Sequence, residues 1–186
     1  MEARPTKRDW KKNFKKETSR KTRNRIRQKI NEVQTTKEGV NTKFLWEIMR
    51  NQKHFIGVIP QDYLLSLDII TFPVSLIINL DLSTQSGSHW IGISISDNTI
   101  ELYDSLGMNN KYRIEKPTIF LSFLAKFRLS HHIISTPVLQ NPNSYYCGFY
   151  CVYFMLFRHF ISFNQCVSIF TTDLSTNDNI LLDMLL

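Results

Sequence analysis

The chain has 186 residues, 42% hydrophobic, 12% aromatic and 21% charged, enough for one domain with a proper core and too short for two. Six Gly and six Pro without a period exclude a collagen-like or low-complexity chain, and three cysteines exclude a disulfide-stapled secreted scaffold. The formal charge of +7 invites a polyanionic partner, but it is unevenly placed: residues 1–30 carry thirteen Lys and Arg against Glu2, Asp9 and Glu17, a net of +10, and the remainder carries −3.

Residues 1–36 therefore read as a basic arm and residues 37–186 as the folded domain. The apolar residues of the arm, Trp10, Phe14 and Ile26, make no amphipathic stripe. The arm is expected to be disordered, or loosely helical and ordered by a polyanion. Lys11, Lys12, Lys15, Lys16, Arg20, Lys21, Arg23, Arg25 and Arg27 would then meet a DNA backbone in a salt-dependent, sequence-independent manner. A nuclear-import signal and a solvated tail fit the same composition. The basic stretch is not followed by an apolar core of a signal peptide, so secretion is not expected. The odd cysteine count points to reduced thiols in a reducing compartment.

Phe44–Met49 reads as a short helix, and Ile59–Asp62 as a turn into another, Tyr63–Leu67. Val74–Leu80, nearly all apolar and β-branched, has the character of a central strand. After the loop Ser83–Ser88, Trp90–Ser96 alternates as a strand, Asp97-Asn98 supplies a two-residue turn, and Thr99–Asp104 returns. Pro117–Arg128 is predicted as a helix, Ile133–Leu139 as a strand and Cys147–Phe163 as a buried helix, while Ser175–Leu186 is ambiguous. The apolar run from Cys147 is shorter than the ~20 residues of a membrane span, so no membrane partner is expected. There are no internal repeats. Interspersed helices and strands with a clear hairpin make the class α+β, with a mixed central sheet packed by helices.

If Asp97-Asn98 is the turn, Ser96 pairs with Thr99, Ile93 with Leu102 and Ile91 with Asp104. His89 and Asp104 then lie on one face, diagonal to each other and roughly 7–8 Å apart by backbone, within reach of side-chain contact. There a carboxylate can fix an imidazole's tautomer and stabilise its cation.

Gln140–Cys151 reads QNPNSYYCGFYC. Asn143 or Ser144 is a candidate cap, which places Cys147 in the first turn of a helix, where the dipole and free N–H groups favour a thiolate nucleophile. Gly148 allows close approach of backbone or substrate. Gln140 offers an N–H donor to an oxyanion beside the Cys147 backbone. Cys151 and Cys166 suit core positions, and the spacing of Cys147, Cys151 and His159 matches no zinc pattern, so no metal is expected.

The order GSHW (His89), YDSLG (Asp104) and VLQNPNSYYCGFYCVYF (Gln140, Cys147), with the stretch FPVSLIINLDLSTQSGSHW, resembles the adenovirus-type (adenain-like) maturation proteases and their relatives in virophages and Maverick/Polinton elements. These belong to the clan of the SUMO-deconjugating proteases. The resemblance covers roughly Phe55 to Phe163. It implies a papain-like/adenain-like cysteine protease fold, with Cys147 as nucleophile, His89 as general base and acid, Asp104 as orienting carboxylate and Gln140 as oxyanion donor. Trp90 would wall a channel over glycine-rich substrate, with Gly148 beside it. It further implies cleavage of viral capsid or core precursors in the virion or at an intracellular assembly site (host nucleus or cytoplasmic viral factory), by a monomer. The chemistry requires no cofactor; activation by DNA or a peptide is a family trait. The adenoviral enzyme often has Glu at the carboxylate position, and this chain lacks a further cysteine for disulfide attachment of an activating peptide. A SUMO-type deconjugating protease, an acyltransferase, or a nucleic-acid-binding virion protein with a vestigial triad are the alternatives.

Overall fold

Residues 7–36, expected to be disordered or loosely helical, are folded in the computed structural model, which describes residues 6–69, 71–108, 118–127 and 131–186. They form helices α1 (Lys7–Glu17) and α2 (Arg20–Thr36). Thr6 and Asp9 make a reciprocal capping box for α1, and the Ser19 side chain caps α2 by accepting from the Thr22 N–H. Trp10 and Phe14, one turn apart, enter the core, as do Ile26, Ile30 and Val33. The apolar stripe escapes a continuous helical reading because the break at Thr18-Ser19 divides it between two helices. Each helix shows only two or three apolar residues among many cations.

Phe14 stacks on Phe157 with ring centroids 5.1 Å apart, and is 1% exposed. Phe14→Ala is accordingly expected to cost about 3–5 kcal/mol, measured by chemical denaturation. A loss below about 0.5 kcal/mol, typical of a surface position, would mean that the basic segment is detached.

Next come α3 (Thr42–Met49), capped by Asn41, the edge strand β1 (Phe55–Pro60) and a 3-10 helix (Gln61–Ser66) where a helix over Tyr63–Leu67 was expected. Then follow β2 (Val74–Asn79), β3 (Trp90–Ile95), β4 (Thr99–Tyr103), α4 (Thr118–Ala125), β5 (His132–Ser135), α5 (Cys147–Phe157), α6 (Phe163–Ser168) and α7 (Leu174–Leu185). Both ends of the predicted helix Pro117–Arg128 lie outside the described residues. The molecule is thus mixed α+β, its five strands ordered β1-β2-β3-β4-β5. β1 and β5 run parallel to their neighbours, and β3 is antiparallel to both β2 and β4. Ile93 lies opposite Leu102, and the Ser96 N–H donates to the Thr99 carbonyl at 2.9 Å, so the hairpin has the predicted register.

One sheet face, with Leu76, Ile78, Ile91, Ile93, Ile100 and Leu102, packs against Phe120 and Phe123 of α4. The other carries α5, which lies against β3 at Gly92. A methyl group there would come within 2.9 Å of the Tyr103 ring and 3.3 Å of Met155. Every residue of α5 is buried, which explains the absence of a polar face in its sequence. The helix is shorter than predicted because Arg158 turns out of the apolar run to form a bidentate pair with Glu101 of β4, at 2.8 and 2.7 Å. Ser162 and Gln165 then cap α6. β5 also ends early: Thr136, predicted to be in it, still donates its N–H to the Leu102 carbonyl at 3.0 Å, and its side chain bonds the backbone of Asp104. No helix among the described residues is long and apolar enough to cross a membrane.

Candidate active site

His89 immediately precedes β3 and Asp104 immediately follows β4, so the hairpin brings both to one end of the sheet. The His89 carbonyl still accepts from the Leu80 N–H at 3.0 Å, which holds His89 against the end of β2. His89 Nε2 lies 2.8 Å from Asp104 Oδ1. The carboxylate is 0% exposed and is fixed from two sides. Its Oδ1 also accepts from the Leu106 N–H at 3.2 Å. Its backbone is bonded by Thr136, whose Oγ1 accepts from the Asp104 N–H at 3.0 Å and donates to the Asp104 carbonyl at 2.6 Å.

Cys147 is the first residue of α5, which emerges beneath the same end of the sheet. The predicted caps do not cap it. Asn143 and Ser144 are consumed in the preceding loop, where the Asn141 side chain accepts from the Asn143 N–H and the Asn141 carbonyl from the Ser144 N–H. The N-cap is Tyr146, with no side-chain hydrogen bond to the helix. The sulfur lies beside the His89 ring and the backbone N–H groups of Trp90 and Gly148, which favour its anionic form. Since Nε2 of His89 is held by Asp104, Nδ1 is the ring nitrogen left for Cys147.

These contacts determine the charges. Burial pushes the Cys147 thiol up, but the hydrogen bond and charge of His89, with the two backbone donors, bring it below its ordinary value. Burial lowers the His89 imidazole, yet Asp104 and Cys147 together raise it to about 9. Thiolate and imidazolium therefore support each other. The other two cysteines behave oppositely: burial pushes Cys166 up to about 12 and Cys151 well above the ordinary thiol range. Of the three thiols, only that of Cys147 is held below its ordinary value.

Gln140 is 2% exposed. Its Oε1 accepts from Ser105 Oγ at 2.6 Å and its Nε2 donates to the Ser144 carbonyl at 2.9 Å. The Leu139 carbonyl beside it accepts from Asn177 Nδ2 of α7 at 2.9 Å. Cys147, His89, Trp90 and Gln140 line one groove of about 1000 Å³, whose opposite walls are residues 37–42 and the loop that includes Leu82, Gln85 and Ser88. Tyr63, Leu82 and Tyr145 are exposed on its rim.

Trp90 and Gly148 both make packing contacts at the groove. The indole N–H donates to the Val40 carbonyl at 2.8 Å and the ring is 8% exposed, so Trp90 pins residues 37–42 to the sheet while contributing one edge to the groove. Gly148 allows a close approach by Val40. A Cβ there would come 2.2 Å from Val40 Cγ2 and 3.3 Å from Trp90 Cδ1, so the missing side chain makes room for Val40. Residues 37–42 follow α2 directly, which makes the N-terminal helices the support of a groove wall.

The nine arm cations do not act as one set. Lys11 pairs with Asp183 at 2.8 Å, Arg25 with Glu47 at 3.4 Å, and Arg23 donates to the Lys15 carbonyl at 2.6 Å. Lys12, Lys15, Lys16, Arg20, Lys21 and Arg27 are exposed and form no ion pair among the described residues. Sequence reading missed Ser105, Thr136 and Asn177, whose partners lie 35, 32 and 38 residues away and leave no local signal. Among the described residues no group of three or more His, Cys, Asp or Glu could hold a metal ion.

No protein-family model matches the chain, and no curated protein does. Among solved structures it is similar to the ASFV pS273R protease, at 22% identity over 60% of this chain and 43% of that one, with a TM-score of 0.34. It is also similar to the SUMO protease Ulp1 with its catalytic cysteine oxidized to a sulfinic acid, at 21% identity over 60% of this chain and 54% of that one, with a TM-score of 0.28. The matched region is about half the length of each of these proteins.

Proposed function

We propose that the chain is a cysteine endopeptidase of the adenain-like type, acting on viral capsid or core precursors during virion maturation. The observation that carries the chemistry is the line Cys147–His89–Asp104, with the sulfur at an uncapped helix start and the imidazole held on a buried carboxylate. In the proposed reaction the Cys147 thiolate attacks the scissile carbonyl carbon, and the carbonyl electron pair moves to the oxygen. Gln140 Nε2 and the Cys147 backbone N–H stabilise that oxyanion. The His89 imidazolium gives its proton to the departing amine as the C–N bond breaks, leaving a thioester. His89, now neutral, takes a proton from water as it attacks, and the acid is released with the thiolate regenerated.

A peptidyl vinyl sulfone carrying Gly-Gly tests the reading, with adducts located by mass mapping of the digested protein. The proposal expects a single adduct at Cys147. Labelling at Cys151 or Cys166 alone, or none at all, would contradict it. Preference for small residues on the acyl side follows from the edge of Trp90 in the groove wall, and DNA or a peptide are the candidate activators.

The exposed cations of α1 and α2 support DNA as the partner of this basic face. Each phosphate contact adds about −0.9 to the slope of log K against log salt. Replacing Lys12, Lys15 and Lys16 together by Ala is expected to flatten that slope by roughly 3 if all three meet phosphates. An unchanged slope would remove DNA from the account.

A further inference from the structure

The residue after the carboxylate, Ser105, makes more contacts with the oxyanion side of the groove than its position suggests. Its carbonyl accepts from the backbone N–H groups of Leu139 and Gln140, at 2.8 and 2.9 Å. Its hydroxyl, on a side chain 1% exposed, donates to Gln140 Oε1 at 2.6 Å. Three hydrogen bonds thus tie Ser105 to the two-residue segment that carries the candidate oxyanion donor.

Two partners together hold the Gln140 amide in one orientation. The two ends of a carboxamide have nearly the same shape, but only the NH2 end can stabilise an oxyanion; the oxygen end would repel it. In Gln140 the NH2 faces the Ser144 carbonyl, which can only accept, and the oxygen faces Ser105, which must then donate. One amide proton is bound to Ser144, and the second remains for a ligand in the groove that Gln140 lines. Without the Ser105 hydroxyl, a buried amide oxygen would lose its donor, and the amide would be anchored at its NH2 end only.

We infer that Ser105 is a positioning residue for the oxyanion site, anchoring the oxygen end of the Gln140 amide while the Ser144 carbonyl sets its orientation. The dipeptide Asp104-Ser105 then orients both halves of the machinery: the carboxylate sets the imidazole, and the hydroxyl sets the oxyanion donor. This rests on the proteolytic reading given above and adds a residue to it.

The test compares wild type, Ser105→Ala, Gln140→Ala and the double variant, using a fluorogenic peptidyl amide with Gly-Gly before the scissile bond. Removing an oxyanion donor outright costs roughly 10²–10³ in kcat. Ser105→Ala is expected to lose about 10- to 100-fold in kcat with KM changed by less than about 3-fold, because the donor is displaced and not removed. In the Gln140→Ala background the Ser105 change is expected to add almost nothing, since it acts through Gln140. The alkylation rate of Cys147 by iodoacetamide, which needs thiolate but no oxyanion site, is expected to be the same in Ser105→Ala and wild type. Ser105→Cys, with a weak donor of similar size, is expected to fall between Ser105→Ala and wild type. Wild-type kcat in Ser105→Ala or Ser105→Cys, or losses that multiply in the double variant, would overturn this inference alone. A wild-type protein that hydrolyses no such amide would overturn the proteolytic reading together with it.

Discussion

Cys147→Ala is expected to abolish hydrolysis of peptide amides while leaving the fold in place. The nucleophile is the one group that no neighbour can replace. Cys151, one turn further along α5, is buried at 0% exposure and its thiol is pushed up. The loss in kcat/KM is expected to exceed roughly 10⁴-fold, as when a member of a catalytic unit that acts jointly is deleted. Cys147→Ser is expected to be nearly as inactive, because a hydroxyl does not become an anion beside His89 as a thiol does. The structural cost is small by comparison. One sulfur leaves a site that is 8% exposed, a change of about 1 kcal/mol, or about 2–4 °C in Tm for a chain of this size. Calorimetry of the same sample used for the assay checks both halves. Amide hydrolysis that persists in purified Cys147→Ala would end the assignment of the nucleophile.

Asp104→Asn is expected to produce the second largest loss, roughly 10²–10⁴-fold in kcat, by analogy with carboxylate removal in triads. Asn has the shape of Asp, and the backbone bonds from Thr136 to residue 104 do not involve its side chain, so the strand end stays in place. The charge does not. His89 is raised by Asp104 and Cys147 against a burial effect that lowers it. Without the carboxylate, burial prevails and the imidazole falls from about 9 toward the neutral form at pH 7. The thiol of Cys147, held down chiefly by the His89 cation, then rises. The sign is therefore the same for both partners: less imidazolium and less thiolate at neutral pH. Activity in the variant is expected to recover partly as pH is raised through the ordinary thiol range. Equal pH profiles for the two proteins would show that Asp104 does not govern the pair.

Several of these relations were legible in the sequence, for a physical reason in each case. The alternation of Trp90–Ser96 and the Asp97-Asn98 turn leave a single register in which the isoleucines share a face, and that register brings His89 near Asp104. Cys147 could be placed at a helix start because polar loop residues stop abruptly before an apolar run. What escaped depends on tertiary context. β1 contains Gly57 and ends at Pro60, both weak strand residues, and takes its place by pairing with β2. The two N-terminal helices hide their few core residues among cations, and only Phe157 reveals why Phe14 is apolar. Gly148 reads as room for a close approach, and the neighbour that makes it, Val40, is too far away in sequence to be named from the motif.

These corrections alter the meaning of the N-terminal charge. The cations are carried by helices that belong to the core and lead into a wall of the groove, with six of the nine candidate DNA contacts still exposed. A polyanion bound there would touch an element structurally continuous with the candidate active site.

Cys147 and His89 are expected to form a thiolate–imidazolium pair before any substrate arrives. The most direct measurement is the rate of Cys147 alkylation by iodoacetamide as a function of pH. A thiol lowered below its ordinary value, beside an imidazole raised to about 9, predicts substantial reactivity at neutral pH and a level profile until the imidazolium loses its proton. A rate that is negligible at neutral pH and climbs only through the ordinary thiol range of about 8.5 would contradict it.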